Sequence, residues 1–248
     1  MSVLGALIMR ELKAFWYSPM AYVVGALFLF LQGWIFWLLV VVLNDPRIDP
    51  AVTISQLFFG NTIFFWLSNL LLAPLLTMRT FSEEKRTGTS EFLLTAPVSD
   101  LQVVLAKFLG AWAAYIMLWL CTLPFFLMLR TVATFDWGPV WTGYLGVSLL
   151  GGVLLSFGIL TSSLTRNQVI AAVGSFVITM LLFSVGLLDF FIHEPEASKL
   201  IHHFSLIDHL NDFSRGILDT RPLLLYLSLT VIALFFTQRI ISRPRWRS

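Results

Sequence analysis

The sequence predicts an all-α polytopic membrane protein, on three observations. It is 58% hydrophobic and only 12% charged, with a mean hydropathy of +0.84, where a soluble domain carries roughly 25% charged residues. It contains six apolar runs near or above the roughly 20 residues that a helix needs to cross a bilayer core. Its lysines and arginines are unevenly shared between the two sides that those runs define. So much apolar surface needs lipid as its solvent, and in lipid a helix satisfies its own backbone hydrogen bonds. Little chain remains for a soluble domain, so residues 1–248 are read as one transmembrane domain.

The first element lies before the spans. Leu4, Ile8, Leu12, Phe15 and Trp16 recur at helical spacing while Arg10 and Lys13 point elsewhere, which predicts a helix in the membrane interface. Ser18-Pro19 breaks it, because proline disfavours helix in the residue before it and is well placed to open the next helix. The first span, 20–43, is too long for a signal-peptide core and is followed by no small-residue cleavage site, so it is expected to be retained. The remaining spans are expected at 57–78, 103–129, 140–164, 169–192 and 222–241. Cys121, the single cysteine, lies in the third and has no intrachain disulfide partner.

Between the second and third spans stands a charged segment, 79–99. Gly88 can take the left-handed conformation that ends a helix, Thr89 can cap a following one, and Glu91 sits near the positive end of its dipole. That second helix is about two turns long, because Pro97 cannot sit further inside it. Ser99-Asp100-Leu101-Gln102 has the form of a capping box opening the third span. The plain alternative is an interfacial loop that only separates two spans.

Short loops rich in lysine and arginine stay cytoplasmic. Arg10, Lys13, Arg79, Lys85, Arg86, Lys107, Arg166, Arg239, Arg243, Arg245 and Arg247 make eleven on one side, against five on the other: Arg47, Arg130, Lys199, Arg215 and Arg221. Both termini are therefore expected in the cytoplasm. The net charge of +2 needs no nucleic-acid partner, and Arg243-Pro244-Arg245-Trp246-Arg247 reads as an anchor to lipid headgroups. Between the fifth and sixth spans, 193–221 is expected outside. Leu200, Ile201, Phe204, Ile207, Leu210, Phe213 and Ile217 form an amphipathic pattern resting on or dipping into the outer leaflet. All four histidines, His193, His202, His203 and His209, fall here, but with no cysteine nearby and no i, i+4 pair they predict solvated or interfacial groups rather than a metal site.

Polar residues inside spans are the candidates for a translocation path: Asn61, Ser68 and Asn69 in the second, and Ser175, Thr179, Ser184 and Asp189 in the fifth. Interhelical hydrogen bonds account for each equally well. Ser148, Gly152 and Ser156 suggest a close helix-packing seam, and the tryptophans suit interfacial belts.

Three stretches carry a resemblance: 11–23 (Glu11-Leu12-Lys13-Ala14-Phe15-Trp16-Tyr17-Ser18-Pro19 onward), the insert with Glu83-Glu84-Lys85-Arg86-Thr87-Gly88-Thr89 and 93–97, and Phe213-Ser214-Arg215-Gly216-Ile217-Leu218-Asp219. Together they resemble the permease subunits of ABC-2-type transporters, nearest to the gliding-motility-type and nitrous-oxide-reductase-maturation-type bacterial permeases. The resemblance implies a bacterial inner-membrane exporter subunit of six spans, with an outer re-entrant segment before the sixth. It implies a coupling helix, here about 90–96, docking in a cytoplasmic ABC ATPase. Glu83, Glu84, Lys85, Arg86, Gly88, Thr89, Glu91, Phe92, Leu93 and Pro97 would form that interface, with Arg10, Glu11 and Lys13 as a second contact. It also implies a second permease subunit and places the second and fifth spans at the centre.

The chain has no Gly-x-x-x-x-Gly-Lys-Ser/Thr loop to cradle nucleotide phosphates. ATP and magnesium are accordingly expected on the partner, with no cofactor in this chain. Two other classes are weighed: a subunit that drives a periplasmic or surface partner mechanically, without a translocated substrate, and an intramembrane enzyme. The enzyme reading lacks a histidine in any span core to act as base.

Overall fold

The computed structural model describes residues 3–43, 53–60, 62–88, 98–131, 135–188 and 202–242. All regular structure among them is helical, and six segments are long and apolar enough to cross a membrane. The elbow helix Val3–Trp16 is followed by the first span, Pro19–Leu43. Pro19 opens that span as the sequence predicts, and the Ser18 hydroxyl accepts from the Met20 N–H at 3.3 Å.

Two spans are interrupted where hydropathy reads one run. The second, expected at 57–78, comprises a short helix, Ile54–Phe59, and a long one, Ile63–Thr77. The third runs from Asp100 to Leu120, turns at Cys121 and Thr122, and resumes as Leu123–Leu129. Pro124 is the physical reason, since it tolerates only the first turn of a helix. The Thr122 hydroxyl donates to the Trp119 carbonyl at 2.6 Å and meets the Tyr144 hydroxyl at 2.8 Å. The remaining spans are Gly138–Leu164, Gln168–Leu187 and Thr220–Ile241.

Hydropathy does not say which span is innermost. The fourth, Gly138–Leu164, is 72% buried over its apolar window, against 22% for the first, fifth and sixth, although the first is the more hydrophobic. Its glycines explain the difference. A Cβ at Gly143 or Gly151 would overlap the rings of Phe59 and Tyr115, and one at Gly146 would lie 2.8 Å from the Phe213 ring. Small residues let neighbours approach the backbone itself. The close seam is therefore made by these glycines rather than by Gly152, where a Cβ would find its nearest atoms at 3.7 Å. The backbone carbonyl of Ser148 accepts from the Trp112 indole N–H at 2.8 Å.

Part of the segment expected at the outer leaflet, 193–221, falls within the described residues and packs against other helices. Leu206–Ser214 is a helix whose Leu206, Leu210 and Phe213 are fully enclosed, seated against the fourth and fifth spans and the short helix Ile54–Phe59. Its apolar face fills space opened by Gly146, Gly60 and Gly186. The Thr142 hydroxyl ties its end down by donating to the Phe213 carbonyl at 2.6 Å. Phe204 and Ile217, expected on the same face, are exposed.

Candidate functional site

The end of the bundle richest in lysine and arginine, the basic end, is built around the insert. Ser82–Thr87 forms a helix, and Gly88 ends it in the left-handed conformation at φ 73°, as predicted. Thr89 and the expected coupling helix at 90–96, with Glu91, Phe92, Leu93 and Pro97, lie outside the described residues. The capping box opening the third span is present: the Gln102 N–H donates to the Ser99 hydroxyl at 3.3 Å, and the Ser99 N–H donates to the Gln102 side chain at 3.1 Å.

A helix start leaves backbone N–H groups without partners. Here they are satisfied from another span. The Ser162 hydroxyl, near the end of the fourth span, accepts from the Phe81 and Ser82 N–H groups at 3.1 and 3.2 Å and donates to the Met78 carbonyl at 3.2 Å. Next to it, the Lys85 ammonium donates to the Ser163 carbonyl. Burial lowers the Lys85 pKa to about 8, assisted by repulsion from Arg166. The insert helix is thus mounted on the most enclosed span.

A second attachment is ionic. Lys107 lies two turns inside the third span with only 2% of its side chain exposed, 2.6 Å from the Glu84 carboxylate and 3.5 Å from that of Glu11 on the elbow helix. It also stands 5.1 Å from the centre of the Phe81 ring. Three separate elements therefore meet on one ammonium. Burial pushes the Glu84 carboxyl up from its usual range, while Lys107 pulls it down. The elbow helix can come this close because Gly110 faces Glu11: a Cβ there would lie 2.8 Å from the Glu11 Cβ.

Of the residues expected to meet a partner, Glu84, Lys85 and Glu11 are thus engaged within the chain. Arg10 pairs with Glu11 at 2.7 Å and Glu83 lies 3.9 Å from Arg86, and Arg10, Lys13, Arg86 and Gly88 are exposed. Between the elbow helix and the first three spans lies a cleft of about 370 Å³.

The polar residues of the spans fall into two places. Asn69 is fully buried, donates to the Phe65 carbonyl at 2.9 Å and accepts from the Tyr115 hydroxyl at 2.5 Å. Ser68 donates to the Phe64 carbonyl at 2.9 Å. Ser175 is fully buried beside Gly158, where a Cβ would lie 2.9 Å from its hydroxyl and would overlap that of Thr77. Thr179 donates to the Ser175 carbonyl and Ser184 to that of Met180, each at 2.8 Å. Asn61 and Asp189 lie outside the described residues. At the helix Leu206–Ser214, His202 contacts Asp208 at 2.7 Å, while His209 is buried edge-on to Tyr226. Among the described residues no cluster of three His, Cys, Asp or Glu side chains could hold a metal ion.

Lys107, Ser162, Ser163 and Gly110 are not singled out by the sequence reading, beyond the count of Lys107 among the basic residues. A signal existed for Lys107, an ionisable group inside an apolar run, which requires a partner. Nothing in the sequence distinguishes Ser162 from its neighbours.

Residues 6–246 match the family model described as ABC-2 family transporter protein. No curated protein matches the chain.

Proposed function

We propose, from the premise that this chain belongs to the ABC-2 family of transporter proteins, that it is the permease subunit of an ATP-driven exporter. As a multi-pass membrane protein of a transporter family, it contributes the membrane part of the machine rather than an enzymatic centre. Residues 1–248 act as one permease domain in a bacterial inner membrane, with both termini and the insert in the cytoplasm. A separate ABC ATPase carries ATP and magnesium, and a second permease subunit completes the translocation path, to which Asn61, Ser68, Asn69, Ser175, Thr179, Ser184 and Asp189 contribute. The resemblance to gliding-motility-type and nitrous-oxide-reductase-maturation-type permeases is the ground for the finer assignment.

The observation that carries this reading is the double mounting of the insert. A loop that only separated two spans would need neither the Ser162 hydrogen bonds nor the buried Lys107 pairs. A lever receiving force from a docked ATPase needs both. Co-purification of the full chain with its ATPase tests the reading. Replacing Glu91 and Phe92 by alanine is expected to release the ATPase or to leave it bound with transport uncoupled from hydrolysis. Unchanged binding and unchanged coupling would remove the docking role from this segment.

A further inference from the structure

The structure assigns to the cleft at the basic end a bound glycerophospholipid with a primary-amine headgroup. The cleft is lined by charged residues and by apolar ones. Arg79 and Glu83 line it beyond the end of the second span, whereas Val24 and Ala111 line it inside the first and third spans. Val24 is five residues beyond Pro19, which places it about 7 Å deeper at 1.5 Å of rise per residue. Roughly that distance separates headgroups from the start of the acyl chains, and a small soluble ion would leave the apolar residues uncovered.

Charge selects the headgroup. Lys107 is committed to Glu11 and Glu84. Arg79 has no ion pair among the described residues and presents the planar donor fork that suits a phosphate. Glu83, which also lines the cleft, is held only at 3.9 Å by the exposed Arg86 and can accept from an ammonium. Glu11 is neutralised by Arg10 and Lys107, and Glu84 by Lys107. Arg79 and the loosely held Glu83 are left as one cation and one carboxylate, which favours a zwitterion: its phosphate meets the first and its ammonium the second. A quaternary choline has no N–H to donate to Glu83, so an ethanolamine headgroup is preferred over choline. The acyl chain lies along Leu75 and Val24. This site does not depend on the docking of an ATPase.

Native mass spectrometry of the detergent-purified full chain, titrated with phosphatidylethanolamine, phosphatidylcholine and phosphatidylglycerol, tests the assignment. One phosphatidylethanolamine is expected to bind more tightly than either of the others. Arg79→Ala should weaken all phosphate-bearing lipids by about tenfold to a hundredfold, the loss of one charge-assisted hydrogen bond. Glu83→Gln should erase the preference of ethanolamine over choline while leaving choline binding unchanged. Both positions are at least partly solvent-exposed, and unchanged thermal unfolding of the variants checks that they fold. Equal binding of the three lipids, a preference for phosphatidylglycerol, or adducts insensitive to Arg79→Ala would each overturn the site.

Discussion

At one end of the fourth span, Ser162 and Ser163 hold the insert by hydrogen bonds, and Lys107 nearby gathers two carboxylates. At the other, Gly143 and Gly146 receive the rings of Phe59 and Phe213 on bare backbone. The first kind of joint depends on groups being present and correctly charged. The second depends on side chains being absent. A steric joint is stiff and indifferent to charge, because packed interiors yield little; a polar joint can be strengthened or released by a partner, a proton or a lipid. The insert is thus held at the basic end chiefly by adjustable contacts and Leu206–Ser214 at the far end chiefly by fixed ones, with one enclosed helix between them.

The largest effect is expected from Lys107→Ala. It strands Glu84, which keeps 23% of its side chain exposed, and leaves Glu11 only its pair with the exposed Arg10. The cost should be about 2–4 kcal/mol, somewhat below that of breaking a fully buried pair. Thermal unfolding of the detergent-solubilised chain measures it. Adding Glu84→Gln should recover part of the loss, since the stranded charge is then gone. A loss no larger than that of an exposed ion pair would place Lys107 in water and dissolve the contrast between the two ends.

Next in size is Gly146→Val at the far end. It drives a side chain into Phe213 and should cost about 1–3 kcal/mol, as overpacking does. Gly152→Ala is its control, expected to change stability by no more than about 1 kcal/mol in either direction. Comparable losses at both positions would mean that helix propensity, not the close approach, sets the value.

The contrast between the two ends also explains how much was legible beforehand. The six apolar segments, the Ser18-Pro19 break, the Gly88 terminus and the Ser99 capping box follow from local chemistry and were readable. The placement of Leu206–Ser214 was not. Its amphipathic pattern is the same whether its apolar face meets lipid or protein, and only the glycines of other helices decide between them. The centrality of the fourth span was hidden for the same reason: a buried helix and a lipid-facing helix are both apolar all round. In the candidate site, Glu83 to Arg86 were readable as a charged group, but Ser162 is an ordinary serine until the insert is seen resting on it.

Ser162→Ala is expected to cost about 1 kcal/mol, the usual value of a lost helix cap. Hydrogen exchange at Phe81 and Ser82 should accelerate while Leu206–Ser214 is unaffected. Acceleration at both ends together would show that the fourth span transmits disorder along its length, and that the two joints are not independent.

The smallest effects are those of pH, and they separate the ends by window. Burial lowers the His209 pKa from 6.5, against the opposing pull of Asp208 and Asp212. Burial, with repulsion from Arg166, lowers the Lys85 pKa from 10.5 to about 8. Each group binds its proton more readily in the unfolded chain, so each makes stability rise with pH through the interval between its two pKa values. For His209 the interval lies below pH 6.5, and acidification should loosen Leu206–Ser214 as the buried imidazole becomes charged. For Lys85 it lies between about 8 and 10.5, where loss of the charge relieves the insert of its desolvation cost. Hydrogen exchange corrected for intrinsic rates should therefore rise at Leu206–Ser214 in acid and fall at Ser82–Thr87 in base. His209→Phe and Lys85→Met should each remove the response at its own end and leave the other intact. A single variant that abolishes both responses would mean that one of the two groups is coupled to the whole bundle, and the polar joint would then be no more local than the steric one.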